Sequence, residues 1–215
     1  MTRIRLGVIG VLGLTACGAS AGVAWSFDAD AQGWGTLNDA RDFAWDSNIG
    51  QPAGAIRARD VGDGRIWYYA APVVDISNAS GFYGGAIAWN ILGIQGNQTS
   101  IANRADVMLT GGGLSFGIDV DVVPVNSQWT SWSASVSEAA GWRIVSSTSS
   151  GSLSSTAATE ADIRAVLADL TGFYIRGEYT NGADQTGLDN VSFVPTPGAA
   201  GLLGLFGLGA VRRRR

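Results

Sequence analysis

Carboxylates are the main chemical resource of this chain, which carries 18 Asp and Glu, no His and, among its 14 basic residues, no Lys. A carboxylate can bind a hard cation, pair with Arg, or act with a second carboxylate on a glycosidic bond. The densest run, Asp28-Ala29-Asp30-Ala31-Gln32-Gly33, opens like a calcium loop, and Asp39 falls where such a loop ends. Its flanks, Trp25-Ser26-Phe27 and Trp34-Gly35-Thr36, are strand-like, and the bidentate Glu is missing, so a helix-loop-helix calcium site is excluded. Glu138, Glu160 and Glu178 are the only glutamates, and none sits in a recognised catalytic motif. Arg176 and Glu178 share one face of an extended segment and are expected to form a structural ion pair. Stacking is the second resource: there are 8 Trp, and Trp67, Tyr68, Tyr69, Trp129 and Trp132 could face sugar rings. Strand alternation sets Trp67 and Tyr69 on one face against Tyr68 on the other, and sets Trp129 opposite Trp132. Trp67, Tyr69 and Trp129 are therefore candidate ligand-binding residues, weighed against the ordinary use of large aromatics as core anchors.

The missing residue types remove whole classes of function. Without His there is no Ser-His-Asp machinery, no His-ligated zinc and no imidazole titrating near neutrality. Without Lys there is no Schiff base and no phosphate-loop lysine. The formal net charge of -4 hides a segregation: six Arg lie at the two ends, leaving eight Arg against all 18 acids between residues 22 and 194, a net charge of -10. Such a body repels phosphate backbones, which excludes nucleic acid as a partner.

The positioning elements read as short strands. Candidate strands are Trp25 to Phe27, Ala55 to Ala58, Ile66 to Ala70, Gly85 to Leu92, Asp106 to Thr110, Leu114 to Val120, Trp129 to Ser135, Trp142 to Ile144, Gly172 to Tyr179 and Leu188 to Val194. Gly, Asn, Asp and Ser clusters separate them, which points to an all-β antiparallel sandwich or barrel. One helix interrupts: Thr159 is a cap, and Ile163, Val166, Leu167 and Leu170 follow at helical spacing, predicting a helix from Glu160 to Asp169. Seven Ser and two Thr between Ser146 and Thr156 predict a mobile loop.

The ends carry targeting patterns. Arg3 and Arg5 precede an apolar run from Leu6 to Ala16, too short to cross a bilayer, and Ala19-Ser20-Ala21 supplies a cleavage pattern before Gly22. Residues 1–21 thus read as a signal peptide. Leu14-Thr15-Ala16-Cys17 offers a rival reading, because it resembles a bacterial lipobox in which Cys17 is lipidated. Past Cys17 there is no thiol, so the mature chain holds no disulfide. At the other end, residues 194–215 contain Pro195-Thr196-Pro197, a charge-free apolar stretch from Gly198 to Val211, and Arg212, Arg213, Arg214 and Arg215. This tail resembles the PEP-CTERM sorting signal of bacterial envelope proteins, with Thr196 where that family most often has Glu. The resemblance implies an exosortase-type enzyme as partner, transient anchoring of the hydrophobic helix in the inner membrane, and removal of the tail after export.

Between the ends, Phe27-Asp28-Ala29-Asp30-Ala31-Gln32-Gly33-Trp34, Trp67-Tyr68-Tyr69-Ala70-Ala71-Pro72, Tyr83-Gly84-Gly85-Ala86-Ile87, Asp106-Val107-Met108-Leu109, Gly141-Trp142, Ile175-Arg176-Gly177-Glu178-Tyr179 and Gly187-Leu188-Asp189-Asn190-Val191 follow one another. In this order they resemble laminin B domains, also called laminin domain IV, over about residues 25–193. The resemblance implies one ectodomain, residues 22–193, folded as an antiparallel jelly-roll β-sandwich of the galactose-binding-like kind. It also implies that acids of the first and last strands meet at a structural Ca²⁺, which here designates Asp28 and Asp189, with Asp30 as a third ligand. The expected function is that of an exported bacterial cell-surface or extracellular-matrix protein. Its domain is non-catalytic, serving adhesion or binding, with extracellular polysaccharide as the expected ligand. The alternatives are an accessory carbohydrate-active enzyme and a purely structural envelope or biofilm protein.

Overall fold

A computed structural model describes residues 22–62, 64–76, 79–96 and 101–196. The expected signal peptide, with Cys17, Ala19 and Ala21, lies outside the described residues, as does the tail from Pro197 through Arg212, Arg213, Arg214 and Arg215. No helix among the described residues is long and apolar enough to cross a membrane.

Among the described residues there are thirteen strands and one α-helix: β1 (Val23–Trp25), β2 (Gly35–Leu37), β3 (Arg41–Asp46), β4 (Ala55–Arg59), β5 (Tyr68–Ala70), β6 (Ala86–Gln95), β7 (Val107–Gly111), β8 (Leu114–Ile118), β9 (Trp129–Ser135), β10 (Arg143–Ser147), β11 (Ser152–Ala157), α1 (Glu160–Ala168), β12 (Leu170–Arg176) and β13 (Gln185–Val194). They form two antiparallel sheets. The first runs β3-β4-β13-β6-β9, with β1 also paired to β13; the second runs β11-β10-β8-β7-β12-β5-β2. The expected all-β sandwich is the observed architecture.

Alternation in the sequence decides which side chains enter the space between the sheets. From the first sheet come Ile56, Ala58, Ile87, Trp89, Ile91, Leu188, Val191 and Phe193; from the second come Tyr69, Val107, Leu109, Phe116, Ile118, Phe173 and Ile175. Near one end, Trp34 packs edge-on against Trp25 and Phe27, at ring separations of 5.3 and 5.7 Å. This T-shaped arrangement sets ring edges against faces, which aromatic quadrupoles favour.

The second sheet is covered on its outer face too. Tyr68, Met108, Val145 and Leu153 form a smaller cluster there, with Ala105 and Ile66. That cluster explains the main departure from the sequence reading. The Ser-rich stretch expected to be a mobile loop instead forms most of the β10-β11 hairpin, register-paired at Val145 with Leu153. Its turn is tied down by backbone bonds from Ile66 to the Ser149 carbonyl and from Ala105 to the Gly151 carbonyl. Val145 and Leu153 give the hairpin the face it buries in this cluster, and two apolar residues beside nine hydroxyls are a faint signal.

The helix follows its sequence pattern. Thr159 Oγ1 accepts from the Asp162 backbone N–H while the Asp162 carboxylate accepts from Thr159 N, closing a capping box. Ile163, Val166 and Leu167 then face the core.

Candidate functional site

The outer face of the first sheet holds a groove. Register carries a line of residues straight across it: Ala44 pairs with Arg57, Arg57 with Gly187, Gly187 with Leu92, and Leu92 with Trp129. Pairing partners in a sheet point to the same side, so Arg57, Leu92 and Trp129 stand together. Gly187 supplies the floor. A Cβ there would lie 3.3 Å from Ile49 Cδ1, 3.4 Å from Trp129 Cη2 and 3.6 Å from Ile94 Cδ1, so the three side chains close over the bare backbone. The cavity has a volume of about 580 Å³ and is also lined by Asp46, Asn48, Ser127 and Gln185. That size lies within the usual range for small-ligand sites, and its mixture of apolar walls with a few polar groups is the usual composition.

One ion pair stands in this groove, Arg57 Nε to Asp46 Oδ2 at 2.9 Å. The second oxygen of Asp46, Oδ1, accepts from Asn48 N at 2.9 Å and from Asn48 Nδ2 at 3.0 Å. The Asn48 backbone bond, its side-chain bond and the Arg57 guanidinium hold the Asp46 carboxyl below its usual range, so it is ionised. Asp46 is the only carboxylate among the lining residues.

Trp129 thus lines the groove, half-buried. Trp67 and Tyr69, the other candidates for sugar stacking, do not, and this corrects the sequence reading. Both are wholly buried, so neither ring face is open to a ligand. The Trp67 ring lies against the backbone at Gly177, where a Cβ would come within 1.9 Å of the ring. That contact is why the Arg176-Gly177-Glu178 segment needs its glycine. Tyr69 donates its hydroxyl to the Thr186 carbonyl at 2.7 Å. Their volume serves the core, where a large ring removes more apolar area from water than any aliphatic side chain.

The expected Arg176–Glu178 pair is likewise replaced. Arg176 Nη2 lies 3.2 Å from Asp106 Oδ1, both side chains fully buried, and Nη1 donates to the Ile101 and Arg104 carbonyls. Glu178 belongs to a different group. Oxygens of Asp39, Asp60 and Glu178 lie within 4.8 Å of one another, all three buried. Burial, followed by the charges of Asp60 and Asp184, pushes the Glu178 carboxyl up to about 8. Burial likewise raises Asp184 to about 6. Trp67 serves both acids, donating from its backbone N to Glu178 and from Nε1 to Asp184 Oδ1 at 3.4 Å. Beside the group a smaller cavity of about 330 Å³ is lined by Arg41, Arg59, Asp60 and Gly62.

Three oxygens that share one Ca²⁺ at 2.3–2.6 Å must lie within roughly 5 Å of each other. Asp39, Asp60 and Glu178 meet that spacing. Asp28, Asp30 and Asp189, the trio designated above, are not such a set among the described residues. Asp189 is buried, and its oxygens accept from Gln51 N at 2.7 Å, Asn190 N at 2.7 Å and Asn190 Nδ2 at 3.1 Å. Asp28 is near enough for its charge to help raise the Asp189 carboxyl, behind the larger effect of burial. Asp30 is exposed and accepts from Gln32 N, as a turn residue does. The first and last strands, β1 and β13, are joined by their own antiparallel ladder from Val23–Phe193 to Trp25–Val191, and the segment around Gln51 packs beside them: Gln51 bonds Asp189, and Gly54 sits against the backbone of Phe27 and Asp28.

The sequence model of Laminin B (Domain IV) matches residues 68–200. The chain belongs to this family. Among solved structures, the laminin B fold seen here is similar to the L4b domain of human laminin alpha-2, at 14% identity and a TM-score of 0.57, covering 82% of this chain and 99% of that one. It is also similar to CtCBM11, at 14% identity and a TM-score of 0.51, covering 85% of this chain and 100% of that one. An exo-beta-agarase matches at 13% identity and a TM-score of 0.54, with 83% of this chain but only 26% of the agarase covered. At these identities the likeness is one of fold. No curated protein sequence matches the chain.

Sequence reasoning missed Asp39 and Asp60 as partners of Glu178, and Asp46, Arg57 and Gly187 as parts of a groove. The one local hint was Arg57, a charge between the apolar Ile56 and Ala58, which marks the outer face of a strand.

Proposed function

We propose that this laminin B domain is a non-catalytic binding module that holds an extracellular polysaccharide across the outer face of its first sheet. The groove at Trp129 and Gly187 carries this reading, because it joins an aromatic surface to fixed polar groups above a floor without side chains. Hydrolysis of a glycosidic bond takes two carboxyl groups, one of them protonated. The groove offers Asp46 alone, held ionised by Asn48 and Arg57, which favours binding over turnover. The fold it shares with a laminin domain and with CtCBM11 is compatible with this reading.

Export is a further part of the proposal, supported by the residue pattern of the first 21 residues and by the Pro-x-Pro, apolar and Arg elements of the tail. In that reading the chain is carried to the bacterial envelope or matrix, held briefly in the inner membrane and processed by an exosortase-type enzyme. Terminal mass spectrometry of the protein from its host tests it: a mature start at Gly22, or a lipidated Cys17, supports export, and an intact Met1 in the envelope fraction overturns it.

Affinity electrophoresis of the full chain through gels containing single polysaccharides tests binding. Retardation in at least one gel, lost when Gly187→Leu fills the groove floor, is the expected result. Equal mobility in every gel, or retardation unchanged by Gly187→Leu, refutes the assignment.

A further inference from the structure

We infer that the groove selects uncharged glycans, and that the Asp46–Arg57 pair does so by gripping two neighbouring hydroxyls of one sugar ring; this rests on the binding reading above. The lining holds one negative and one positive group, 2.9 Å apart, so its net charge is zero. Around it the body carries a net charge of -10, which repels a polyanion before it arrives. A carboxylated or sulfated glycan would need an uncompensated cation in the groove, and Arg57 is already matched by Asp46.

The hydrogen-bonding valences of the pair fit a diol. Oδ1 of Asp46 accepts two bonds from Asn48, which fills it. Oδ2 accepts one, from Arg57 Nε, and keeps one lone pair. Arg57 uses Nε on Asp46, and among the described residues its two terminal nitrogens donate to no protein group. The pair therefore presents one acceptor beside a set of donors, both charged and both fixed by the strands that carry them. One sugar hydroxyl donates to Oδ2 while the oxygen of its neighbour accepts from the guanidinium. Charge-assisted bonds of this kind are about twice as strong as neutral ones. Trp129, across Gly187 from Arg57, covers the apolar face of the ring.

The test is a charge reversal of preference. The full chain and its Asp46→Asn and Trp129→Ala variants are run by affinity electrophoresis against neutral gels (mixed-linkage β-glucan, agarose, galactomannan) and anionic gels (alginate, polygalacturonate). The runs are made at low salt and again in about 0.15 M NaCl, where the Debye length is about 8 Å. The wild type is expected to be retarded in a neutral gel and not in the anionic ones. Trp129→Ala weakens that retardation about 30-fold, as loss of a central aromatic anchor does. Asp46→Asn leaves Arg57 uncompensated, so the variant loses about tenfold on the neutral polysaccharide and gains salt-sensitive retardation by an anionic one. Wild-type retardation in alginate that Trp129→Ala abolishes overturns the neutral selection while the groove stands. Retardation untouched by Trp129→Ala overturns the groove itself. An Asp46→Asn variant that behaves as the wild type in both gel classes overturns the role of the ion pair. Melting curves of each variant separate these outcomes from misfolding.

Discussion

Replacing Glu178 with Gln should remove a pH dependence that the wild type must show. In the fold this carboxyl is raised from an ordinary 4.5 to about 8, by burial first and then by the charges of Asp60 and Asp184. In the unfolded chain it ionises near its ordinary value, so across the window between the two the folded state binds the extra proton. The contribution of this group to stability is then at its fullest below about pH 4.5, falls as pH rises, and levels off above about pH 8. The slope for one group is at most about 1.4 kcal/mol per pH unit. From about pH 5.5 to about pH 7.5 the loss is therefore at most about 3 kcal/mol, and roughly 1–3 kcal/mol once the effective dielectric of real interiors is allowed for. For a chain of this size each kcal/mol moves Tm by about 2–4 °C, so the wild type should lose about 2–12 °C over that window. Gln keeps the shape and still offers an oxygen to the Trp67 backbone N–H, but it carries no charge. Differential scanning calorimetry at matched ionic strength, with EDTA present so that no divalent ion replaces the proton, reads the difference. The Glu178→Gln curve should be flatter than the wild type and higher at the alkaline end. A wild-type Tm that is level or rising between these pH values, or a variant that falls as steeply, refutes the buried-carboxylate argument.

Other outcomes follow from the same structure. Arg176→Met should cost about 3–5 kcal/mol, because it removes the counter-charge of the buried Asp106 carboxylate, whereas Arg176→Met with Asp106→Asn, which drops the charge but keeps an oxygen for the Val120 and Val122 backbone N–H groups, should recover part of the loss; chemical denaturation of both variants checks this. Thr159→Ala opens the capping box of α1 and should lower stability by about 1 kcal/mol without touching polysaccharide binding, which a melt and an affinity gel read together. Gly177→Ala should be far more damaging than Gly187→Ala, since the first drives a methyl into the Trp67 ring and the second meets only side-chain ends at 3.3 Å or more. Soluble yield and Tm of the two alanine variants measure that contrast.

The sequence alone decided the class of fold, because short apolar alternations such as Ile87, Trp89 and Ile91 have one period and one use, burial on a single strand face. It also decided α1, whose cap and helical spacing are local, and it placed Tyr68 opposite Trp67 and Tyr69, as the two clusters confirm. It could not say which aromatic faces water. Trp67 and Trp129 are the same residue in similar strand contexts, yet one lies under Gly177 and the other over Gly187, a difference set by neighbours far along the chain. The carboxylates show the same limit. Asp28 and Asp30 stand out because they are close in sequence, whereas Asp39, Asp60 and Glu178 come together only when β2, β4 and β12 end at the same place. Composition set the acidic charge and removed His and Lys chemistry. Where that charge is buried, balanced or left facing a groove is a matter of register between strands, and register is fixed by the packing of both sheets together.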